Sequence, residues 1–155
     1  MKQDALLLNP RLQSGTALVE FAIALPILLL LMLAVAELGR CLYQYNSLNK
    51  QVRNAVRYVS ANARVGSTGV IDISDEVRST AKHLTVFGTL SNDQELLPGL
   101  SIDDVIVEET TPEYVLVTVD YDYQPMISYA LPTFGLGDDL SLGLTLQASV
   151  VMRAI

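Results

Sequence analysis

One carboxylate, that of Glu20, stands at the start of an apolar run that continues without a charge over residues 21–36. A carboxylate in lipid is costly, so it is found there when it has a functional partner. Gly15 lies five positions earlier, and a chain that began at the next residue, Thr16, would have Glu20 as its fifth residue. This layout indicates a removable leader, a retained membrane helix and a charge that pairs with another group.

Few other groups could catalyse a reaction. His83 is the only histidine, we interpret it as a surface residue of a helix, and there is no Gly-rich phosphate loop. Cys41 is the only cysteine, which excludes an intramolecular disulfide and a Cys-based zinc site. We interpret it as a small apolar helix residue, with a disulfide between chains as the alternative. We therefore expect no catalytic residue and no cofactor.

Acidic residues occur in pairs that could supply oxygen ligands to calcium. The pairs are Asp103 with Asp104, Asp120 with Asp122, and Asp138 with Asp139. None has the spacing of an EF-hand loop, and a solvated acidic surface is the favoured interpretation. We therefore expect no metal site.

Composition limits the classes of function that remain. The 155 residues suffice for one modest domain, and half of them are apolar. The formal net charge is −7, and the basic residues form no patch in the sequence. Because nucleic-acid binding depends on Lys and Arg contacts to phosphates, a nucleic acid is not an expected partner.

A membrane span is predicted over residues 16–38. Its apolar part, residues 17–38, has about 22 residues and a helical length of roughly 33 Å, enough to cross a hydrocarbon core of about 30 Å. Pro26 lies inside it and is expected to kink the helix. Glu37 and Arg40 mark the helix exit, where their spacing allows them to pair along one face.

The same helix is predicted to continue over residues 39–65. Positions spaced alternately by four and three residues form an apolar stripe with one polar break: Leu38, Leu42, Tyr45, Asn49, Val52, Val56, Val59 and Ala63. The opposite face carries polar and basic residues. Either the stripe packs on the chain's own domain, or it packs on other helices in an assembly, and both can hold along different turns.

Residues 39–155 are predicted to form an α+β domain. A second helix is expected over residues 72–87 and antiparallel strands over residues 101–109, 113–123 and 141–153, with a fourth strand as an option. The strands are recognised by apolar residues at every second position. An apolar sheet face needs a cover, and the long N-terminal helix is the natural one.

Several motifs resemble those of TadE-like proteins, which are pseudopilins or minor pilins of the tight-adherence (Tad) type IV pilus system. The first group is Ala17-Leu18-Val19-Glu20-Phe21-Ala22, Leu25-Pro26, Glu37-Leu38-Gly39-Arg40 and Ala55-Val56-Arg57-Tyr58. The second is Val117-Thr118-Val119-Asp120-Tyr121-Asp122-Tyr123 and Ala148-Ser149-Val150-Val151-Met152-Arg153. The leader resembles the processing signal of type IV pilin-like proteins, except that Thr16 stands where Phe is common.

The resemblance implies a non-catalytic role in pilus assembly. A prepilin peptidase would remove residues 1–15 by cutting between Gly15 and Thr16. The processed chain would stay in the bacterial inner membrane with its domain outside the cytoplasm, and Glu20 would pair with the new amino group of Thr16, its own or a neighbour's. The implied partners are membrane lipid, a second pseudopilin, the Flp-type major pilin and inner-membrane Tad assembly proteins. The chain would enter the pilus or only help its assembly.

Two observations favour other interpretations. Residues 34–36 fit a signal peptidase site, so a cut after Ala36 would release a secreted or anchored binding domain. Basic residues are also more frequent after the span than before it, which by the positive-inside rule weakly favours the opposite orientation. An anchored enzyme is the third class, with little acid or base chemistry to support it.

Overall fold

The computed structural model describes residues 10–63, 71–91, 94–111, 113–126, 130–131, 140–141 and 143–154. Its dominant element is helix α1, Pro10–Asn62, which has 53 residues and continues through Pro26 without interruption. It is long and apolar enough to cross a membrane, judged by length and composition. From Leu18 to Val35 its large apolar side chains are mostly exposed, as expected of a lipid-facing surface.

The apolar stripe of α1 divides into two parts. Val52, Val56, Val59 and Ala63 are fully buried against the domain. Leu38 and Leu42 remain 60% and 53% exposed. The last turns of the stripe therefore form part of the chain's own core, whereas its first turns lack a cover within the described residues.

Helix α2, Asp75–Phe87, begins three residues later than the sequence predicts. Ser74 caps its first turn by accepting a hydrogen bond from Val77 N, and Gly88 ends it in the left-handed conformation (φ 74°) that favours glycine. The residues before it are tied to the sheet instead, because Ile73 N donates to Glu109 Oε1 (3.3 Å). Ile71 and Ile73 are both buried there.

Strands β1 (Val105–Thr111), β2 (Tyr114–Asp122) and β5 (Thr145–Arg153) form a three-stranded antiparallel sheet in the order β1-β2-β5. The first two strands form the predicted hairpin, with a bulge between Glu109 and Thr111. Two short strands, β3 (Ala130–Leu131) and β4 (Leu140–Ser141), pair separately. The predicted α+β layout is confirmed, and the optional fourth strand is replaced by this separate pair.

Two of the strands are shorter than predicted at their starts. Residues 102–104 form a 3-10 turn, because Ser101 Oγ accepts from Asp103 N and the Asp104 carboxylate accepts from Ser101 N (2.8 Å). Such local bonds compete with a strand ladder. Strand β5 begins at Thr145 rather than at residue 141, since Ser141 already pairs with Ala130 in the separate hairpin.

The core lies between the helices and one face of the sheet. α1 packs on β2 and β5, as the sequence predicts, and α2 packs beside it on β1. The sheet supplies its alternate inward side chains: Val105, Val107, Val115, Val117, Val119, Tyr121, Tyr123 and Ala148. This core packs against the second half of α1, and the first half extends beyond it.

Candidate processing and assembly site

Gly15, Thr16 and Glu20 lie on one face of α1, together with Val19 and Ile23. Thr16 and Glu20 are four residues apart, which places them one above the other on the helix surface. Helical side chains lean toward the N-terminus, so the Glu20 carboxylate leans toward Thr16. A chain trimmed before Thr16 would place a free amino group and a helix N-terminus, with its positive partial charge, within one turn of this carboxylate.

Glu20 is the single charged residue among residues 17–36 and it is exposed. Its neighbours Val19 (61% exposed), Phe21 (57%) and Ile23 (69%) are apolar and also uncovered. In lipid the carboxylate would therefore face hydrocarbon unless a positive group came to it. The geometry allows this group to be the chain's own trimmed terminus or that of a neighbour.

Glu37 and Arg40, the predicted helix-exit pair, lie 17 and 20 residues farther along α1, so the two candidate sites are separate. Glu37 is 6% exposed although it is charged. Its Oε1 accepts hydrogen bonds from the Tyr123 hydroxyl and from Met126 N (3.1 Å). Arg40 Nη1 is 4.0 Å from the same oxygen. The pair approaches as its spacing predicts, but the closest contacts of Glu37 come from the end of the sheet.

The contact between α1 and the end of the sheet, made through Glu37, is the joint between the membrane helix and the domain. The positive charge of Arg40 lies beside it. The Arg40 Nη1 atom is buried and has no hydrogen-bond partner within the described residues. At 4.0 Å from Glu37 Oε1, the guanidinium offsets the charge that Glu37 brings into the domain. A buried carboxylate with two donors and an adjacent cation is a satisfied structural group.

The hydroxyls of two tyrosines, one near the end of β2 and one just after it, form hydrogen bonds with residues of α1. The hydroxyl of Tyr121 donates to Pro98 O (3.0 Å) and lies 3.4 Å from Gln44 Oε1. Burial raises the pKa of Tyr123 well above its usual value, and the hydrogen bond to Glu37 raises it further. Tyr123 therefore remains a hydrogen-bond donor across the physiological range.

Sequence reasoning missed Tyr123, Gln44 and Met126 as partners of the helix exit. A signal was present, since Tyr121, near the end of β2, and Tyr123, just after it, continue the inward alternation, and a buried tyrosine hydroxyl normally finds a partner. Nothing in the spacing indicates that the partner lies 86 residues earlier in the chain.

Of the described acidic residues, Asp103, Asp120 and Asp122 are exposed and Asp104 is half-buried. Gln147 Nε2 donates to Asp120 Oδ1 (2.7 Å), and Thr145 Oγ1 donates to Asp122 Oδ1 (2.8 Å). Asp138 and Asp139 lie outside the described residues. Within the part of the chain that is described, no group of three or more His, Cys, Asp or Glu residues could hold a metal ion. His83 packs its ring against Phe87, with centroids 4.4 Å apart.

Comparison with known proteins finds a family match for most of α1. The family model described as TadE-like protein matches residues 15–57. The matched range contains Gly15, Thr16, Glu20, Glu37 and Arg40. No curated protein and no solved structure matches the chain. The resemblance to TadE-like proteins is thus confirmed over this range.

Proposed function

We propose, on the premise that residues 15–57 are TadE-like, that the chain is a processed pseudopilin, or minor pilin, that supports assembly of a Tad (Flp) pilus. The observation that carries the proposal is a lone carboxylate, Glu20, on an exposed apolar helix one turn from Thr16. TadE-like pilins are generally structural rather than enzymatic, and the role proposed here is non-catalytic.

The proposed sequence of events begins with proteolysis. A prepilin peptidase cuts between Gly15 and Thr16, and residues 16–38 remain as the membrane anchor. The domain, residues 39–155, lies outside the cytoplasm. The amino group of Thr16 then neutralises Glu20, which favours one axial register between neighbouring helices because an unpaired carboxylate in lipid is costly.

The proposed partners follow from this arrangement. Membrane lipid surrounds the apolar half of α1, which is long enough to span it. A second pseudopilin and the Flp-type major pilin are the neighbours whose helices would pack beside it. Inner-membrane Tad assembly proteins would move it.

The processing step is tested by substituting two glycines of α1, Gly15 at the proposed cleavage site and Gly39 as the control. A Cβ added at Gly15 or at Gly39 would meet no atom within 4 Å, so the two Gly→Ala changes are structurally matched. We expect Gly15→Ala to block maturation and Gly39→Ala to leave it intact. Mass spectrometry of the mature wild-type chain should find a start at Thr16.

Two results would overturn the processing step. A mature chain that starts at Glu37 would assign the cut to signal peptidase. Normal maturation of the Gly15→Ala variant would show that the bond after Gly15 is not the one cleaved.

The pairing step is tested by Glu20→Ala beside Val19→Ala, an apolar neighbour on the same exposed surface. We expect both variants to be processed and inserted. Piliation, measured from sheared pili, should fall at least about tenfold for Glu20→Ala only. Without the carboxylate, pairing with the Thr16 amino group no longer favours one axial register between neighbouring helices. Normal piliation of Glu20→Ala would remove the pairing argument.

A further inference from the structure

Three basic residues that form no patch in the linear sequence are brought into a row on the outward side of α1, above the proposed membrane span. Lys50, Arg53 and Arg57 are all exposed, and their spacing of three and four residues places them along one face. They line a shallow groove with four polar or aromatic side chains, Tyr45, Asn46, Asn49 and Asn54. Within the described residues, none of the three forms an ion pair. We call Lys50, Arg53 and Arg57 the basic row.

A membrane surface does not fit this row. Lys50 lies twelve residues beyond Leu38, which is about 18 Å along the helix. The headgroup layer extends only about 5–8 Å beyond the hydrocarbon core. The remaining distance of about 10 Å exceeds the Debye length of about 8 Å at physiological ionic strength. The row is therefore available to a partner other than the membrane surface, and its positive charge favours an acidic protein surface.

Such a surface exists on the opposite side of the same chain. Glu108, Asp120 and Asp122 are exposed on the sheet face that points away from the helices. Asp120 and Asp122 are held in place by the hydrogen bonds from Gln147 and Thr145, which carry no charge. We call Glu108, Asp120 and Asp122 the acidic face.

The basic residue Arg153 of the outer sheet surface does not neutralise the acidic face, and apolar residues lie beside the carboxylates. Arg153 is engaged with Glu113 (2.8 Å) at the end of the sheet nearer to Glu108, away from Asp120 and Asp122. Ile106 (43% exposed) and Val151 (51%) add apolar area beside the carboxylates. Exposed aliphatic groups among complementary charges are typical of a contact surface.

We propose that the basic row of one copy docks on the acidic face of a second copy. Row and face lie on opposite sides of the molecule, so the contact is heterologous. A symmetric contact would bring row against row or face against face, and like charges would repel. A heterologous contact can repeat from copy to copy along an open array.

The contact also sets an axial offset. Tyr121, which lies between the two aspartates in β2, is level with Gln44 of α1. Arg53 is nine residues farther from the membrane end, or about 14 Å along the axis. The copy that presents its aspartates is therefore displaced outward by about this distance relative to the copy that presents its row.

Charge reversal of the full chain in a non-ionic detergent tests the proposal. The row variant carries Lys50→Glu, Arg53→Glu and Arg57→Glu, and the face variant carries Asp120→Lys and Asp122→Lys. In low salt, each variant alone should self-associate about tenfold more weakly than wild type, measured by sedimentation. A one-to-one mixture should recover association, because the row of the face variant meets the face of the row variant.

The controls separate this contact from other forces. Asp72→Lys with Glu76→Lys changes two exposed carboxylates that belong to neither the basic row nor the acidic face and should leave association unchanged. High salt should weaken the wild-type contact, whereas association through the apolar helix should persist.

Three results would overturn the proposal. The first is self-association that changes neither with salt nor with charge reversal. The second is a mixture of the two variants that does not recover association. The third is a row variant whose sole defect is lost retention on phosphatidylserine nanodiscs. The last would assign the row to lipid. The inference does not rest on the proposed function, since a failed charge swap leaves the processing and pairing tests unaffected.

Discussion

At the scale of single residues, the joint between the membrane helix and the domain depends on Glu37. A carboxylate that is 6% exposed is tolerated because the hydroxyl of Tyr123, a backbone N–H and the Arg40 guanidinium all surround it. Each of these groups comes from a different position in the chain. The joint therefore forms only when α1 and the end of β2 are both in place.

Tyr123→Phe should change how stability depends on pH. The pKa of Tyr123 is raised in the folded chain, so the stabilising effect of this group is fully present below the unfolded pKa of about 10 and is lost as pH rises above it. We expect the variant to be about 1–2 kcal/mol less stable at neutral pH. Above about pH 10 its free energy of unfolding should fall less steeply than that of wild type.

Urea unfolding of the full chain in detergent, followed by tyrosine absorbance at several pH values, measures this difference. Tyr43→Phe is the matched control, since Tyr43 is 71% exposed. Parallel pH profiles for wild type and Tyr123→Phe would contradict the assignment.

The sequence predicts one side of this joint better than the other. Local spacing pairs Glu37 with Arg40, and the structure places their charged atoms 4.0 Å apart. The stronger contacts, to Tyr123 and Met126, depend on how the chain folds back over more than 80 residues. Periodicity reports which face of a strand is buried, but not what lies against it.

At the scale of elements, one helix serves two environments. Residues 21–36 of α1 present apolar side chains on all sides, and the second half of the helix buries one face in the domain. Leu42 and Leu48 show the contrast, with 53% and 0% exposure. The same residue type six positions apart therefore contributes to different kinds of contact.

Leu48→Ala and Leu42→Ala separate these two contributions. We expect Leu48→Ala to lower the free energy of unfolding by about 2–5 kcal/mol, because it leaves a cavity in the core. Leu42→Ala should change it by less than about 0.5 kcal/mol. Urea unfolding in detergent measures both, and equal effects would show that Leu42 is buried as fully as Leu48.

Element boundaries show why local patterns are incomplete. The apolar alternation of β2 predicted its inward face correctly, from Val115 to Tyr123. The starts of α2 and β1 moved because Ile73 bonds to Glu109 and Ser101 caps a short turn. Acidic residues suit a helix N-terminus wherever they occur, so they could not distinguish Asp72 from Asp75.

At the scale of the whole molecule, a long apolar helix carries a compact acidic domain. The described part of the chain has one helix able to cross a membrane, and the core packs against one face of its second half only. If α1 spans the membrane over residues 16–38, as proposed, the described residues after the span lie on one side of the membrane. The positive-inside rule and the family resemblance disagree about which side that is.

Cysteine labelling of cells decides the orientation. In a Cys41→Ser background, Asn62→Cys places a thiol at an exposed position near the distal end of α1. We expect a membrane-impermeant maleimide to label it in intact spheroplasts, since the proposed orientation puts the domain outside the cytoplasm. Labelling only after lysis would show the reverse orientation.

Because α1 is one continuous helix, the direction in which Glu20 points around the helix axis is fixed relative to the other residues of α1. An α-helix turns about 100° per residue, so Glu20 points about 100° away from the direction of Glu37. By the same arithmetic the centre of the basic row points about 190° away from Glu37. The direction from which an amine reaches Glu20 and the direction from which a second copy reaches the basic row are thus roughly a quarter turn apart. Each subunit would then meet two different neighbours, one through its membrane half and one through its domain.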